Sequence, residues 1–226
     1  MAGSSPLPSL SHQEHPSGES AAMSDNSHPP TLIIRLSRVA AAVMPSLLQG
    51  GFLLPLNQAA SLDSLLTTLP GFSASYLEKS VQTVFINGTA ADSLGQKVYP
   101  GQTLALSAAM PGLAGTIFRR NSPHSSLRSQ AGTVPSRSRE EEFQPGRITI
   151  KLFNSIATDT ASALLCQGLL LSGRTLEKFL RKRRASLEQS LQQTGFRGRR
   201  LSYPELIQAC GAVPELHLRV LIQDAG

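Results

Sequence analysis

Tryptophan is absent from the 226 residues, and three tyrosines with eight phenylalanines are the whole aromatic complement. Any core must therefore be filled by Leu, Val, Ile and Ala. No aromatics interleave with the basic residues, which argues against a stacking platform for single-stranded nucleic acid. The two cysteines, Cys166 and Cys210, make neither a disulfide framework nor a metal quartet. They suit a reducing compartment, where lone thiols pack as small apolar groups. Histidine is scarce where it could do chemistry: His12, His15, His28 and His124 fall in Ser- and Pro-rich stretches, and His217 stands alone on a predicted strand. There is no Walker loop, paired-carboxylate motif, GxSxG elbow or Cys/His cluster at zinc spacing. The expectation is a chain with no catalytic residues, no metal and no cofactor, and so not an enzyme. Long apolar runs are missing too. The most apolar stretch, residues 39–56, is interrupted by Pro45, Gln49, Gly50, Gly51 and Pro55, so no membrane span is expected. The first twenty residues have neither a basic start nor an apolar core, unlike a signal peptide. A soluble, cytoplasmic protein follows as the expectation.

Charge marks the joints. Residues 1–30 hold three acids, no Lys or Arg, and many Ser and Pro, the composition of a disordered tail. Residues 31–118 are nearly neutral, with four basic and three acidic residues. Residues 119–146 form a Ser/Arg/Pro-rich stretch without apolar periodicity, predicted as a disordered linker. Residues 148–226 carry eleven basic and six acidic residues, a net of +5. Two domains are expected, over 31–118 and 147–226.

The first reads as strand, strand, helix, strand, strand. In residues 31–39, Leu32, Ile34 and Leu36 alternate with Arg35 and Ser37, the pattern of a half-buried strand. Residues 50–56 are a second candidate. Ser61 offers an N-cap to a helix carrying Leu62, Leu65, Leu66 and Leu69, which Pro70-Gly71 stops. A strand then runs into Asn87-Gly88, a strong turn pair, and Pro100-Gly101 precedes a last strand over 103–107. One helix packed on a mixed sheet of this size is the ubiquitin-like β-grasp, an α+β fold.

Residues 84–94, VFINGTAADSL, and 98–115, VYPGQTLALSAAMPGLAG, carry a more specific signal. A strand ending in Asn-Gly, a PGQT turn, a last strand and a small-residue tail resemble the MoaD/ThiS-type sulfur carriers over residues 31–115. The resemblance implies a β-grasp domain whose terminal glycine carboxylate is adenylated and converted to a thiocarboxylate. It also implies an adenylating or sulfur-transfer enzyme as partner. In this sequence the tail pair is Ala114-Gly115, followed directly by Thr116, so Gly115 has no free carboxylate. A degenerate relative that serves as a protein-interaction module is the expectation.

Residues 148–180 echo 32–66. Ile34-Arg35-Leu36 aligns with Ile150-Lys151-Leu152, LLQGGFLL with LLCQGLLL, and SLDSLL with TLEKFL, as an internal repeat would. The last strand, within residues 215–226, admits two registers. Matched to residues 104–115, it puts Ala225-Gly226 at the carrier-tail position. Matched to residues 82–90, it leaves the second copy without a final strand. Residues 175–195 are predicted as one helix with Leu176, Phe179, Leu180, Leu187 and Leu191 on its apolar face and Gly195 as its C-terminal cap. Arg181, Lys182, Arg183 and Arg184, with Arg197, Arg199 and Arg200 beyond, form a basic patch. It is either a solvated helix face or a footprint for phosphate backbone or an acidic partner, which makes nucleic acid the alternative partner.

Overall fold

The computed structural model describes Met1 and residues 28–120, 122–123 and 144–223. The expected tail and linker fall mostly outside these residues, as do Ala225 and Gly226. The first segment runs β1 (Thr31–Ser37), α1 (Arg38–Ala41), α2 (Pro45–Leu48), β2 (Phe52–Leu56), β3 (Ala60–Ser61), α3 (Leu62–Leu66) and α4 (Ala74–Lys79). It continues with β4 (Thr83–Ile86), β5 (Thr89–Ala90), β6 (Lys97–Val98), β7 (Thr103–Ser107) and α5 (Gly112–Phe118). The second segment runs β8 (Gly146–Leu152), α6 (Asn154–Gln167), β9 (Leu169–Ser172), α7 (Gly173–Lys182) and α8 (Arg184–Leu187). It ends with β10 (Leu191–Phe196), α9 (Tyr203–Gly211) and β11 (Glu215–Gln223).

The fold class is α+β, with one large mixed sheet and several helices. Its strand order is β10-β1-β11-β9-β2-β8-β7-β4-β5, and β3 with β6 forms a separate ribbon. Pairing thus crosses the expected boundary between the two segments. β1 lies between β10 and β11 of the second segment, while β8 lies between β2 and β7 of the first. The two parallel pairs are reciprocal: β8 runs beside β7, and β1 beside β11, with Leu32 opposite Leu218 and Leu104 opposite Ile150.

Alternation explains why these two strands sit inside the sheet. Leu32, Ile34 and Leu36 of β1, and Ile148, Ile150 and Leu152 of β8, are at most 2% exposed. At about 1.5–3 kcal/mol per fully buried aliphatic side chain, each strand contributes several kcal/mol to one apolar core that spans both segments. Two positions aligned in the sequence share a backbone feature. Gly51 (φ 97°) and Gly168 (φ 110°) take the left-handed conformation immediately before β2 and β9. Leu53 and Leu170, aligned in the repeat, pair with each other where these strands meet.

β11 pairs parallel to β1 as β7 does to β8, so it takes the place of a final strand. The stretch between Gly195 and Pro214 holds α9, opened by a Ser202–Glu205 capping box in which Ser202 N donates to Glu205 Oε2 at 2.8 Å. Gly173 lets the chain return closely. Its N–H donates to Pro214 O at 3.0 Å, and a Cβ there would collide with the carbonyls of Cys210 and Val213.

The single helix expected over 175–195 is a correction. It breaks at Arg183 (φ −105°, ψ 18°), resumes briefly as α8, and gives way to β10, where Gly195 pairs with Ile33 rather than capping a helix. Edge pairing with β1 supplies backbone partners that a solvated, Gln-rich helix end cannot match.

Candidate functional site

The carrier-tail segment does not leave the body of the protein. Beyond β7, Ala108 packs on the core, and the chain turns at Pro111 into α5, which contains Ala114 and Gly115. Gly115 is buried, and a Cβ on it would collide with the Met110 carbonyl. Its glycine identity thus has a packing cause. Past it, the Phe118 ring meets that of Phe85 at 5.5 Å between centroids. Arg120, 8% exposed, fastens the segment down. Its Nε donates to Val81 O at 3.0 Å, and its Nη2 donates to Val81 O at 2.7 Å and Leu77 O at 3.0 Å. Its backbone N–H donates to Gln82 O at 2.8 Å. Burial pushes its proton affinity down, and Glu78, 3.8 Å away, opposes that shift. The folded segment therefore reaches past the expected boundary at residue 118.

The structure divides the basic patch by partner and by place. Arg181 and Arg184 are each paired along the helix. Arg181 Nη2 lies 2.9 Å from Glu177 Oε1, and Arg184 holds Glu188 in a two-pronged contact at 2.7 and 2.9 Å. The hydrogen bond from Arg184 holds the Glu188 carboxyl below its ordinary range. Lys182 and Arg183 instead line a cleft of about 360 Å³ between α2 and α7, together with Lys178, Ser46, Gln49 and Thr175. Arg183 Nη2 donates to Ser46 Oγ at 3.2 Å, and that hydroxyl donates to Val43 O at 2.7 Å.

Arg197, Arg199 and Arg200 follow the far end of β10. Arg197 (φ 49°) lies over the Phe196 ring at 5.7 Å. Arg197 and Arg199 line a second cleft of about 730 Å³ with His28, Arg147 and Glu215, the last two forming an ion pair. Arg200 is exposed and lines neither cleft. Sequence reasoning missed Lys178, although its i,i+4 spacing to Lys182 was there to be read. It also missed Ser46, Thr175 and Arg120, whose partners lie far along the chain.

Cys166 is exposed, whereas Cys210 is fully buried and its thiol is pushed up to about 12, by burial first and the Glu177 charge second. Tyr203, whose hydroxyl donates to Leu180 O at 2.8 Å, is likewise pushed up to about 12 by burial. His217 is exposed on β11. Among the described residues no group of three or more His, Cys, Asp or Glu could hold a metal ion. No helix among them is long and apolar enough to cross a membrane. No family model, curated protein or solved structure matches the chain.

Proposed function

We propose that this chain is a MoaD/ThiS-like β-grasp protein that has left sulfur carriage and acts as a protein-interaction module. The observation that carries it is Gly115, built into α5 and amide-bonded to Thr116 rather than displayed at the end of a thin tail. Thiocarboxylate chemistry needs a free carboxylate that can thread into an adenylating site. A glycine wedged against Met110 and followed by an anchored Arg120 offers neither.

The β-grasp part rests on strand arrangement. In the run β2-β8-β7-β4-β5, a central parallel pair is flanked on each side by antiparallel neighbours, and α3 and α4 share its apolar core. The run β10-β1-β11-β9 has the same parallel centre. On this view there are two β-grasp units, 31–118 and 147–226, that have exchanged their first strands. The partner is an adenylating or sulfur-transfer enzyme, met in a reducing, cytoplasmic setting. Nucleic acid is less well supported, because the cations line two separate clefts rather than one track.

A competition assay tests this. A carrier-activating enzyme, ATP and a sulfur donor are run on a control carrier with increasing amounts of the full chain, and both proteins are followed by mass spectrometry. The chain is expected to slow adenylation of the control while staying unmodified. A sulfur-for-oxygen mass gain on a peptide ending at Gly115 or Gly226 would show a working carrier. Neither competition nor modification would remove the carrier-type partner.

A further inference from the structure

The cations of α7 and α8 are sorted by position. Arg181, which does not line the α2–α7 cleft, has its glutamate one turn earlier, and Arg184 has one a turn later. Lys178 and Lys182 have no ion pair or hydrogen bond among the described residues, and no carboxylate lines the cleft they share with Arg183. Two like charges four residues apart on a helix cost about 0.2–0.5 kcal/mol, and a third, Arg174, stands one turn before them. On α7 and α8 the arginines outside the cleft are paired with glutamates, whereas the cations lining it face no carboxylate, which suits the cleft to a negative charge.

The receiving groups are partly organised in advance. Arg183 is half-buried and held by Ser46, whose own hydrogen is committed to Val43 O. One of its five N–H donors is engaged, which leaves a fork oriented for an oxyanion with little ordering cost. Thr175 and Gln49 add neutral donors from α7 and from the end of α2. The volume of about 360 Å³ suits a small molecule, and Arg197 and Arg199 line a separate cleft.

We infer that the α2–α7 cleft binds a compact, multiply charged phosphate-bearing small molecule through Lys178, Lys182 and Arg183, with Ser46 holding the arginine in place. This site is independent of the interaction role proposed above, and either can fail alone.

The test is an NMR titration of the full chain with inorganic pyrophosphate at fixed ionic strength, with a single-stranded oligonucleotide as a second arm. Saturable shifts are expected on the amides of Gln49, Gly50, Thr175, Lys178 and Lys182. The double variant K178Q/K182Q is expected to weaken binding by about tenfold or more, the loss of two charge-assisted contacts. R181Q/R184Q removes the same net charge from α7 and α8 and is expected to change affinity by less than about twofold, since neither arginine lines the cleft and solvent and salt screen exposed charges. Both variants alter exposed residues, so thermal melts should show both folded. Equal weakening by the two pairs would overturn the site in favour of diffuse electrostatics. Absence of saturable shifts would overturn it outright. So would oligonucleotide binding that shifts the α7 residues and Arg197 and Arg199 together, since that marks a polynucleotide surface.

Discussion

The two halves of the sheet share a parallel centre and differ in what flanks it. In the first, β4 follows the helices and pairs with the last strand, β7. In the second, β10 follows the helices and pairs with β1 of the first segment, while β11 lies against β9. Local space accounts for the difference. β9 passes directly into α7 at Gly173, and the missing side chain there admits the returning chain, so Glu215 falls opposite Ser172. At the aligned place in the first half stands Ala59. The chain there enters the β3–β6 ribbon, with Ala60 opposite Val98, and this leads β7 away from β2. β2 then takes β8 as its neighbour instead. Gly173 thus permits the close approach that seats the start of β11 beside the end of β9.

The sharpest way to break the comparison is to separate the segments. Residues 28–123 and 144–226, expressed as two chains, are each expected to lack a cooperative unfolding transition and to regain one on mixing, eluting as a one-to-one complex. A sharp melt from either alone would mean that the strands need not be exchanged. Next in size, Gly173→Val should destabilise the protein by about 3 kcal/mol through the clash with Cys210 and Val213 carbonyls, whereas Ala59→Val should stay within about 0.5 kcal/mol. Equal melting temperatures for the two would remove Gly173 as the cause. Arg120→Met leaves the Val81 and Leu77 carbonyls without its donors and should cost about 2 kcal/mol in chemical denaturation. Protease sensitivity should then appear first in residues 108–123.

The last effect is confined to alkaline solution and vanishes near neutral pH. Below about pH 9 the Cys210 thiol is protonated in both the folded and unfolded chain, so pH has no leverage through it. Between 9 and about 12 only the unfolded chain ionises, and stability should fall as pH rises, by about 1.4 kcal/mol per unit from this group. Denaturant melts of Cys210→Ala across that range should show a shallower dependence, and an unchanged slope would exclude the thiol as its source.

Much of the fold was legible because it is written locally. Leu32, Ile34 and Leu36 announce β1 by alternation, Ser61 and its leucines announce α3, and Asn87-Gly88 announces the turn between β4 and β5. The cross-segment pairing of β1 and β8 was not legible, since either strand pattern suits any parallel neighbour and nothing near Ile34 names Val220 as its partner. The helix predicted through Gly195 failed for the same reason, because Leu191 found Leu36 across the sheet. Ser202 and Glu205 did carry a readable signature for α9 that went unused. At the candidate site the basic run was plain, and the Glu177–Arg181 and Arg184–Glu188 spacings could have divided it into satisfied and unsatisfied charges. The Arg183–Ser46 contact, between residues of different segments, had no local trace.

The reciprocal strands have a consequence for biosynthesis. β1 leaves the ribosome well before its neighbours β10 and β11, which lie more than a hundred residues further along the chain. At roughly 5–20 residues per second, Leu32, Ile34 and Leu36 would wait on the order of ten seconds before their shelter exists. During that interval the nascent chain carries an unmatched apolar ribbon with both hydrogen-bonding edges open. On a crowded polysome the nearest available β11 can belong to the chain ahead, so the order of synthesis favours trapping by holdase chaperones and the occasional interlinked dimer.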